Sequence, residues 1–433
     1  MNDTAARIEE QPSTTTSGNP VLRWLGILGP GLVTGAADDD PSGIGTYSQV
    51  GAQFGYQMGW TVLFSFPLMA AIQEIAARIG STTGHGIAAN LRKHYPPWVL
   101  GIIVMALLVA NVINLGADIA AMGDAATLIL PGPMQLWVVV VTVISAAAEA
   151  WLSYARYAAI LKWVTLVLLA YVATLMVAHV HWSEALVGAV VPKLSAGGAA
   201  ATALVAVLGT TISPYLFFWQ SSQEVEELHR RNHKPLCVAP RAAGPELKRI
   251  RIDTLVGMAF SNLIALFIIV AVAATLYTHG IRNIDSSVKA AQALAPIAGR
   301  FASVIFAVGI IGTGLLALPV LAGSAGYAVS ETFRWTLGLD KTPRAARAFY
   351  GVIAGSMLLG MLIAFSPIDP MKALYWSAVV NGVLAAPVMV VMMLISSNRK
   401  IMGKLAISWR MRVAGWIATA VMAAAAVGMF VTA

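Results

Sequence analysis

Ala36-Ala37-Asp38-Asp39-Asp40-Pro41-Ser42-Gly43 places three consecutive acids and a proline in the middle of a long apolar run. Pro41 lacks an amide hydrogen and its ring clashes with the preceding turn, so a helix through this run is expected to break here. An ionised carboxylate at the centre of a bilayer costs about 2.5–3.5 kcal/mol even on lenient insertion scales. If the run spans a membrane, the acids must therefore face water, a cation or one another.

The composition of the chain predicts an integral membrane protein. Of its 433 residues, 58% are hydrophobic and 11% are charged, and the mean hydropathy is +0.75. Soluble domains carry roughly 25% charged residues, so a soluble chain of this composition could not cover its surface. The single cysteine, Cys237, excludes an internal disulfide and a cysteine-rich metal centre. Nucleotide-binding loops and hydrolase motifs are absent from the sequence, so we expect neither an enzyme nor a cofactor.

The apolar runs predict an all-α protein with eleven membrane-spanning helices, since one span needs about 20 apolar residues. Residues 1–20 are polar, lack the features of a signal peptide and are expected to form a disordered cytoplasmic tail. Residues 21–433 are expected to form a single transmembrane domain. The predicted spans are 22–52, 57–79, 98–127, 134–152, 155–180, 199–226, 252–278, 297–330, 346–365, 371–396 and 409–431.

The basic residues orient these spans. With the N-terminus in the cytoplasm, 23 of the 28 Lys and Arg residues fall on the cytoplasmic side. The remaining five are Lys193, Arg282, Lys289, Arg300 and Lys372. Cytoplasmic loops are enriched in Lys and Arg, so we expect a cytoplasmic N-terminus, an extracytoplasmic C-terminus and a location in the cell (inner) membrane. The same asymmetry accounts for the net charge of +8 without any nucleic acid partner.

A second break is expected in the sixth span, at Gly209-Thr210-Thr211-Ile212-Ser213-Pro214. It lies five spans after the first break and at a similar depth. Corresponding interruptions in two halves are typical of transporters built from inverted repeats, in which unwound segments line the binding site. We place the two repeats at about 22–180 and 199–396, with 409–431 as an additional helix.

Asp40 is the strongest ligand candidate, because it directly precedes the break. Successive residues of a helix point in different directions, so Asp38 and Asp39 are expected to line the aqueous approach instead. The alternative is that these acids cap a helix or pair with basic residues, which we favour less for Asp40 than for its neighbours. For Thr210 and Ser213 the alternative is a hydrogen bond to the backbone of their own helix.

These residues resemble the NRAMP divalent-metal transporters. The resemblance rests on Gly29-Pro30-Gly31, the Asp-Pro break, Gly51-Ala52-Gln53-Phe54-Gly55-Tyr56, His94-Tyr95-Pro96 and Leu208–Pro214, and it can be followed from about residue 27 to the C-terminus. It implies a LeuT-type fold with 5+5 inverted repeats and discontinuous helices 1 and 6. It also implies transport of divalent cations by alternating access, and a monomer in the lipid bilayer.

The resemblance also implies a metal site, and several residues at the positions of this site differ from those of the family. Asp40 is retained, and Ala37 and Thr210 match the positions that offer backbone carbonyls. The family's helix-1 Asn is Gly43 here, and its helix-6 Met-Pro-His is Ser213-Pro214-Tyr215. In helix 10 the family's Gln position holds Ala378, and Asn381 lies one turn further on.

The departures predict a magnesium transporter that also accepts Mn²⁺. Loss of the thioether leaves an all-oxygen site, which suits Mg²⁺, Ca²⁺ or Mn²⁺. Loss of the Met and Asn side chains should also widen the cavity for a partly hydrated ion. This pattern resembles the NRAMP-related magnesium transporters.

Proton coupling is expected to be weak or absent. One acidic position of helix 3 holds Asn111, although Asp118 remains, and the two helix-6 histidine positions hold Tyr215 and Gln220. Histidine is the side chain that titrates near neutral pH. Two alternatives stay open: a proton-coupled Mn²⁺ or Fe²⁺ symporter, and an amino-acid or Na⁺ symporter of the same fold. The row of acids at the break argues against the second.

Overall fold

The computed structural model describes residues 29–151, 168–193 and 197–432, and every regular element in these ranges is helical. The predicted tail, the start of the first predicted span and the first half of the span predicted at 155–180 lie outside them. The helices of eight or more residues are α1 (Pro30–Asp38), α2 (Pro41–Phe54), α3 (Gly59–Thr83), α4 (Ile87–His94), α5 (Pro97–Thr127), α6 (Met134–Trp151), α7 (Leu169–Val177), α8 (Trp182–Val190), α9 (Gly198–Thr211), α10 (Pro214–Arg230), α11 (Ala243–Val272), α12 (Ala302–Phe333), α13 (Arg347–Ala364), α14 (Pro370–Ser397) and α15 (Trp409–Thr432).

The helices confirm an all-α membrane architecture. Among the described residues, nine helical segments are long and apolar enough to cross a bilayer. The count of eleven spans stays a prediction, because part of the chain lies outside the described ranges.

Both predicted helix breaks are present and share one backbone geometry. The first separates α1 from α2 at Asp39 (ψ 48°) and Asp40 (ψ 171°). The second separates α9 from α10 at Ile212 (ψ 59°) and Ser213 (ψ 132°). In each, the extended residue precedes a proline that begins the next helix, because proline disfavours the helical conformation of the residue before it. The same kind of helix break, an extended residue followed by a proline, thus occurs in two parts of the chain.

Close backbone packing holds the broken helices against their neighbours. α1 packs along α11, α9 along α14, and α5 along α12 and α13. A β-carbon on Gly35 would lie inside 3 Å of the Gly257 backbone, and one on Gly209 would meet the backbone of Ala378 and Gly382 equally closely. These glycines are needed because no larger residue would allow the helices to approach so closely.

Candidate metal site

Asp40 lies at the centre of the site and uses its two carboxylate oxygens differently. Oδ1 accepts a hydrogen bond from the Gly43 amide at 2.6 Å and so caps α2. Oδ2 accepts from the Asn114 side-chain amide and the Tyr215 hydroxyl, each at 3.2 Å. The sequence favours a capping role less for Asp40 than for its neighbours, but the structure shows that Asp40 does cap α2. The cap occupies only Oδ1, and Oδ2 accepts from the two side chains.

Asp38 and Asp39 lie on a different side of the break from Asp40 and share one partner on α11. The Ser261 hydroxyl lies 2.5 Å from Asp38 Oδ2 and 3.2 Å from Asp39 Oδ1. A hydroxyl has one hydrogen to donate, so it cannot serve both carboxylates fully. Both side chains are at most 1% exposed. Among the described residues, no three His, Cys, Asp or Glu side chains converge to hold a metal ion.

In the described part of the chain, no ion pair with a basic residue involves the four buried acids near the break, which are Asp38, Asp39, Asp40 and Asp118. Asp118 is fully buried on α5, and neither of its oxygens has a hydrogen-bond partner of ordinary geometry. The backbone amide of Ser42 is the donor near it. A buried carboxyl group at membrane depth without a basic partner is a candidate site for a cation or a proton.

The second helix break offers backbone groups to the candidate site rather than the side chain of Ser213. The Ser213 hydroxyl donates to the carbonyls of Gly209 (2.7 Å) and Thr210 (3.0 Å), so it satisfies its own helix as the alternative reading proposed. The Thr210 side chain faces Gly43, since a β-carbon there would lie 3.2 Å from Thr210 Oγ1. The Tyr215 hydroxyl also approaches the Ala37 carbonyl at 3.5 Å. Ala37, Gly43, Thr210 and Tyr215 are thus brought together with Asp40.

Three residues that were predicted to line the cavity form no hydrogen bond with Asp40 in the structure. Asn111 donates to the Leu321 carbonyl and the Ser324 hydroxyl on α12, away from Asp40. Gln220 accepts from Gln73 at 2.9 Å and donates to Thr254 at 3.4 Å, forming a buried chain across α3, α10 and α11. Asn381 is buried on α14, and its Oδ1 has no partner.

The widened cavity expected from the missing Met and Asn side chains is not present as open space. Asp40, Thr210, Ser213, Tyr215 and Asn381 are each at most 2% exposed. The Tyr215 hydroxyl and the Asn114 amide lie against Asp40 and take up the room. The structure therefore shows a closed site, which must open before an ion can enter.

Three residues that sequence reasoning missed support the site. Asn114 contacts Asp40, Ser261 contacts the other two acids, and Asp253 accepts from the amides of Gly29, Gly31 and Leu32 at 2.7–3.0 Å. Arg249 lies beside Asp253 and pairs with Glu224 of α10 at 2.6 Å. Asn114 could have been found from its spacing, because Asn111, Asn114 and Asp118 follow one face of a helix. No sequence signal points to Ser261 or Asp253.

Comparison with known proteins places this geometry in context. The model of the family described as "Natural resistance-associated macrophage protein-like" matches residues 31–432. A protein of Klebsiella pneumoniae named "Divalent metal cation transporter MntH" is 27% identical over 424 residues, which are 96% of each chain. One of the same name from Deinococcus radiodurans is 26% identical over 417 residues, which are 93% of this chain and 89% of that one.

Two solved structures share the fold of this chain over nearly its whole length. A manganese transporter of Eremococcus coleocola superposes with a TM-score of 0.76 at 14% identity, over 97% of this chain and 89% of its own. MhsT, solved with L-phenylalanine, gives 0.65 at 12% identity, over 93% of this chain and 98% of its own. At these identities the likeness shows the fold alone, which is the LeuT-type fold that the family resemblance implied.

Proposed function

The chain belongs to the Nramp family, and from that premise we propose that it carries Mg²⁺ into the cytoplasm, accepts Mn²⁺ at the same site and couples little or not at all to protons. As a member of this family it is a multi-pass membrane transporter of divalent metal cations and not an enzyme. Asp40 is the proposed primary ligand, with the carbonyls of Ala37 and Thr210 and the region of Gly43 and Ser213 around it.

The observation that carries the magnesium proposal is the chemistry around Asp40. Its neighbours are amide and hydroxyl groups, from Gly43, Asn114 and Tyr215. The helix-6 position where the family has a thioether holds Ser213. Oxygen ligands suit hard cations such as Mg²⁺ and Mn²⁺, whereas thioethers favour softer transition metals.

The proposal of weak proton coupling is supported by the chain of Gln73, Gln220 and Thr254. Gln220 takes a position where the family resemblance expects histidine. Its amide cannot titrate at physiological pH, so this part of the protein offers no proton carrier.

Asp118 is the specific observation in favour of the second candidate, a proton-coupled symporter for Mn²⁺ or Fe²⁺. Its carboxyl group is buried one turn from Asn114 on α5 and has no basic partner among the described residues. A buried carboxyl group of this kind can hold a proton instead of a cation.

The remaining topology is part of the proposal. We infer a cell (inner) membrane location, a cytoplasmic N-terminus and a monomer. We also infer inverted repeats at about 22–180 and 199–396, with a further helix at 409–431. The basic-residue asymmetry supports the orientation, and the matching geometry of the two breaks supports the repeats.

The test is uptake into proteoliposomes with indicators for Mg²⁺ and for internal pH. We expect saturable Mg²⁺ uptake, competition by Mn²⁺, and no proton flux in proportion to Mg²⁺. Asp40→Asn should abolish uptake of both ions. Asp285→Asn is the matched control, because Asp285 pairs with Lys289 on an exposed loop. Equal uptake by Asp40→Asn would contradict the site, and proportional acidification that disappears in Asp118→Asn would favour the second candidate.

A further inference from the structure

One face of α5 carries three buried polar side chains, and each has a different environment. Asn111 is tied to α12 through its amide nitrogen, and Asp118 has no ordinary hydrogen-bond partner. Asn114 lies between them and is the only one of the three whose amide donates to the carboxylate at the helix break. The spacing i, i+3, i+7 directs all three toward the same side of the helix.

The Asn114 side chain is half satisfied. Its Nδ2 donates to Asp40 Oδ2 at 3.2 Å, whereas its Oδ1 is buried and has no hydrogen-bond partner. The residue itself is 0% exposed, so water does not satisfy this oxygen. Buried polar atoms are nearly always paired, and an unpaired one beside a proposed cation site calls for a ligand.

We propose that Asn114 is a direct ligand of the transported cation and supplies, from α5, the amide oxygen that Gly43 cannot supply from the first helix. The proposal rests on Asp40 being the cation site. When a cation arrives, the amide rotates about its terminal bond and exchanges Nδ2 for Oδ1. The two groups are nearly the same size, so the exchange requires no backbone movement.

The distances around Asp40 fit this role. Mg²⁺ prefers octahedral geometry with ligands at about 2.0–2.1 Å, which places neighbouring ligand atoms about 2.9 Å apart. Asp40 Oδ2 lies 3.2 Å from the Asn114 amide and 3.2 Å from the Tyr215 hydroxyl. Each of these two distances is within a few tenths of an ångström of the separation between neighbouring ligands of Mg²⁺, so the amide of α5 and the hydroxyl of α10 each lie at a suitable distance from Asp40. Waters would complete the shell of the ion.

A purely structural role for Asn114 predicts the opposite effect on binding. If the amide only donates to the empty Asp40 carboxylate, it competes with the cation, and its removal should tighten binding. If Asn114 is a ligand, its removal should weaken binding. Substituting a group that merely orients a metal ligand costs about 10–100-fold in affinity, so the loss of a ligand should cost about tenfold or more. The sign of the change therefore separates a ligand from a donor that only competes for Asp40. Asn114→Asp separates a ligand from a group that only orients Asp40, because an ionised carboxylate offers an oxygen to the cation but donates no hydrogen bond to Asp40.

The experiment measures Mg²⁺ binding by calorimetry and Mg²⁺ uptake in proteoliposomes for full-length variants. Asn114→Leu keeps the shape but has no polar atom, and Asn114→Asp keeps an oxygen at the same place. Asn111→Leu is the matched control, since it has the same residue type, helix and burial without the contact to Asp40. Asn114→Ala replaces the Leu variant if that one is not monodisperse.

We expect the Mg²⁺ dissociation constant of Asn114→Leu to rise about tenfold, that of Asn114→Asp to stay the same or fall, and that of Asn111→Leu to change less than twofold. Unchanged or tighter binding by Asn114→Leu would overturn the inference, and so would an equal loss in Asn111→Leu. Asp40→Asn separates this failure from that of the proposed function. If Asp40→Asn also binds Mg²⁺ normally, the cation site itself is wrong.

Discussion

At the residue scale, Gln220 is the position on which the proposal of weak proton coupling rests. Its amide bridges Gln73 and Thr254 inside the protein. The hydrogen bonds use both halves of the amide, so the position is structurally satisfied without any charge. If transport is not coupled to protons, the cause would be the chemistry of this one side chain, and a substitution of Gln220 could change it.

We predict that Gln220→His makes transport depend on pH. A histidine has an unperturbed pKa of about 6.5. Below that pH it carries a positive charge close to the path of the cation, and uptake should fall as the pH decreases from 7.5 to 5.5. Wild-type uptake should stay nearly flat over the same range. Gln223→His is the control, because Gln223 bonds to Tyr327 and lies outside the Gln73 chain. A flat profile for Gln220→His would show that Gln220 lies too far from the path of the cation to affect transport.

At the element scale, the short helix α1 is held at its N-terminus by a single carboxylate. Asp253 accepts three backbone hydrogen bonds from Gly29, Gly31 and Leu32. The helix dipole adds to this attraction, since a negative charge near an N-terminus is favourable. Because α1 ends at the break, we expect its attachment to α11 to influence whether the proposed site opens on the side of the N-terminus.

We predict that Asp253→Asn loosens α1 and opens the site on that side. Hydrogen bonds to a charged acceptor contribute about 1.5–3 kcal/mol each, and an asparagine oxygen cannot replace all three. Cys237 is the single cysteine of the chain, so a Cys237→Ser background allows a reporter cysteine at Ala36. Its labelling should become several-fold faster in Asp253→Asn and stay unchanged in Asp285→Asn. Equal labelling rates would show that Asp253 does not restrain α1.

Helix packing gives a second prediction at this scale. The methyl group of Gly35→Ala would press on the Gly257 backbone, which cannot move aside as a flexible side chain would. Overpacking of this kind costs about 1–3 kcal/mol, so the melting temperature in detergent should fall. Gly355→Ala in α13 is the control, because nothing lies within 4 Å of its added β-carbon. That control should melt at or above the wild-type temperature, and a similar loss in both variants would refute the packing argument.

The sequence predicted the helix breaks well because their causes are local. Pro41 and Pro214 act on the turns directly before them, whatever the surrounding structure. Asn114 could have been added from its spacing with Asn111 and Asp118. The roles of Ser261 and Asp253 depend on which helices meet in space, and no pattern in one sequence encodes that meeting. The two roles of Asp40, as cap and as proposed ligand, likewise need coordinates that distinguish its two oxygens.

At the scale of the whole molecule, the site is closed in this structure, and its acids have no basic partners among the described residues. An alternating-access transporter that moves a divalent cation alone carries two positive charges across the membrane in each cycle. The electrical gradient then becomes the natural driving force, and no second ion is required.

We predict that the membrane potential alone drives accumulation of Mg²⁺ in proteoliposomes. A potential of about 100 mV supplies about 2.3 kcal/mol per charge, or roughly 4.6 kcal/mol for a divalent ion. At about 1.4 kcal/mol per tenfold change, this corresponds to about three decades of accumulation. Each step of about 30 mV, imposed with a potassium gradient and an ionophore, should therefore raise the accumulation ratio about tenfold. A pH gradient imposed at zero potential should produce no accumulation, because Gln220 offers no proton to exchange. Accumulation that follows the pH gradient instead would indicate that protons drive transport through Asp118 and would support the proton-coupled alternative.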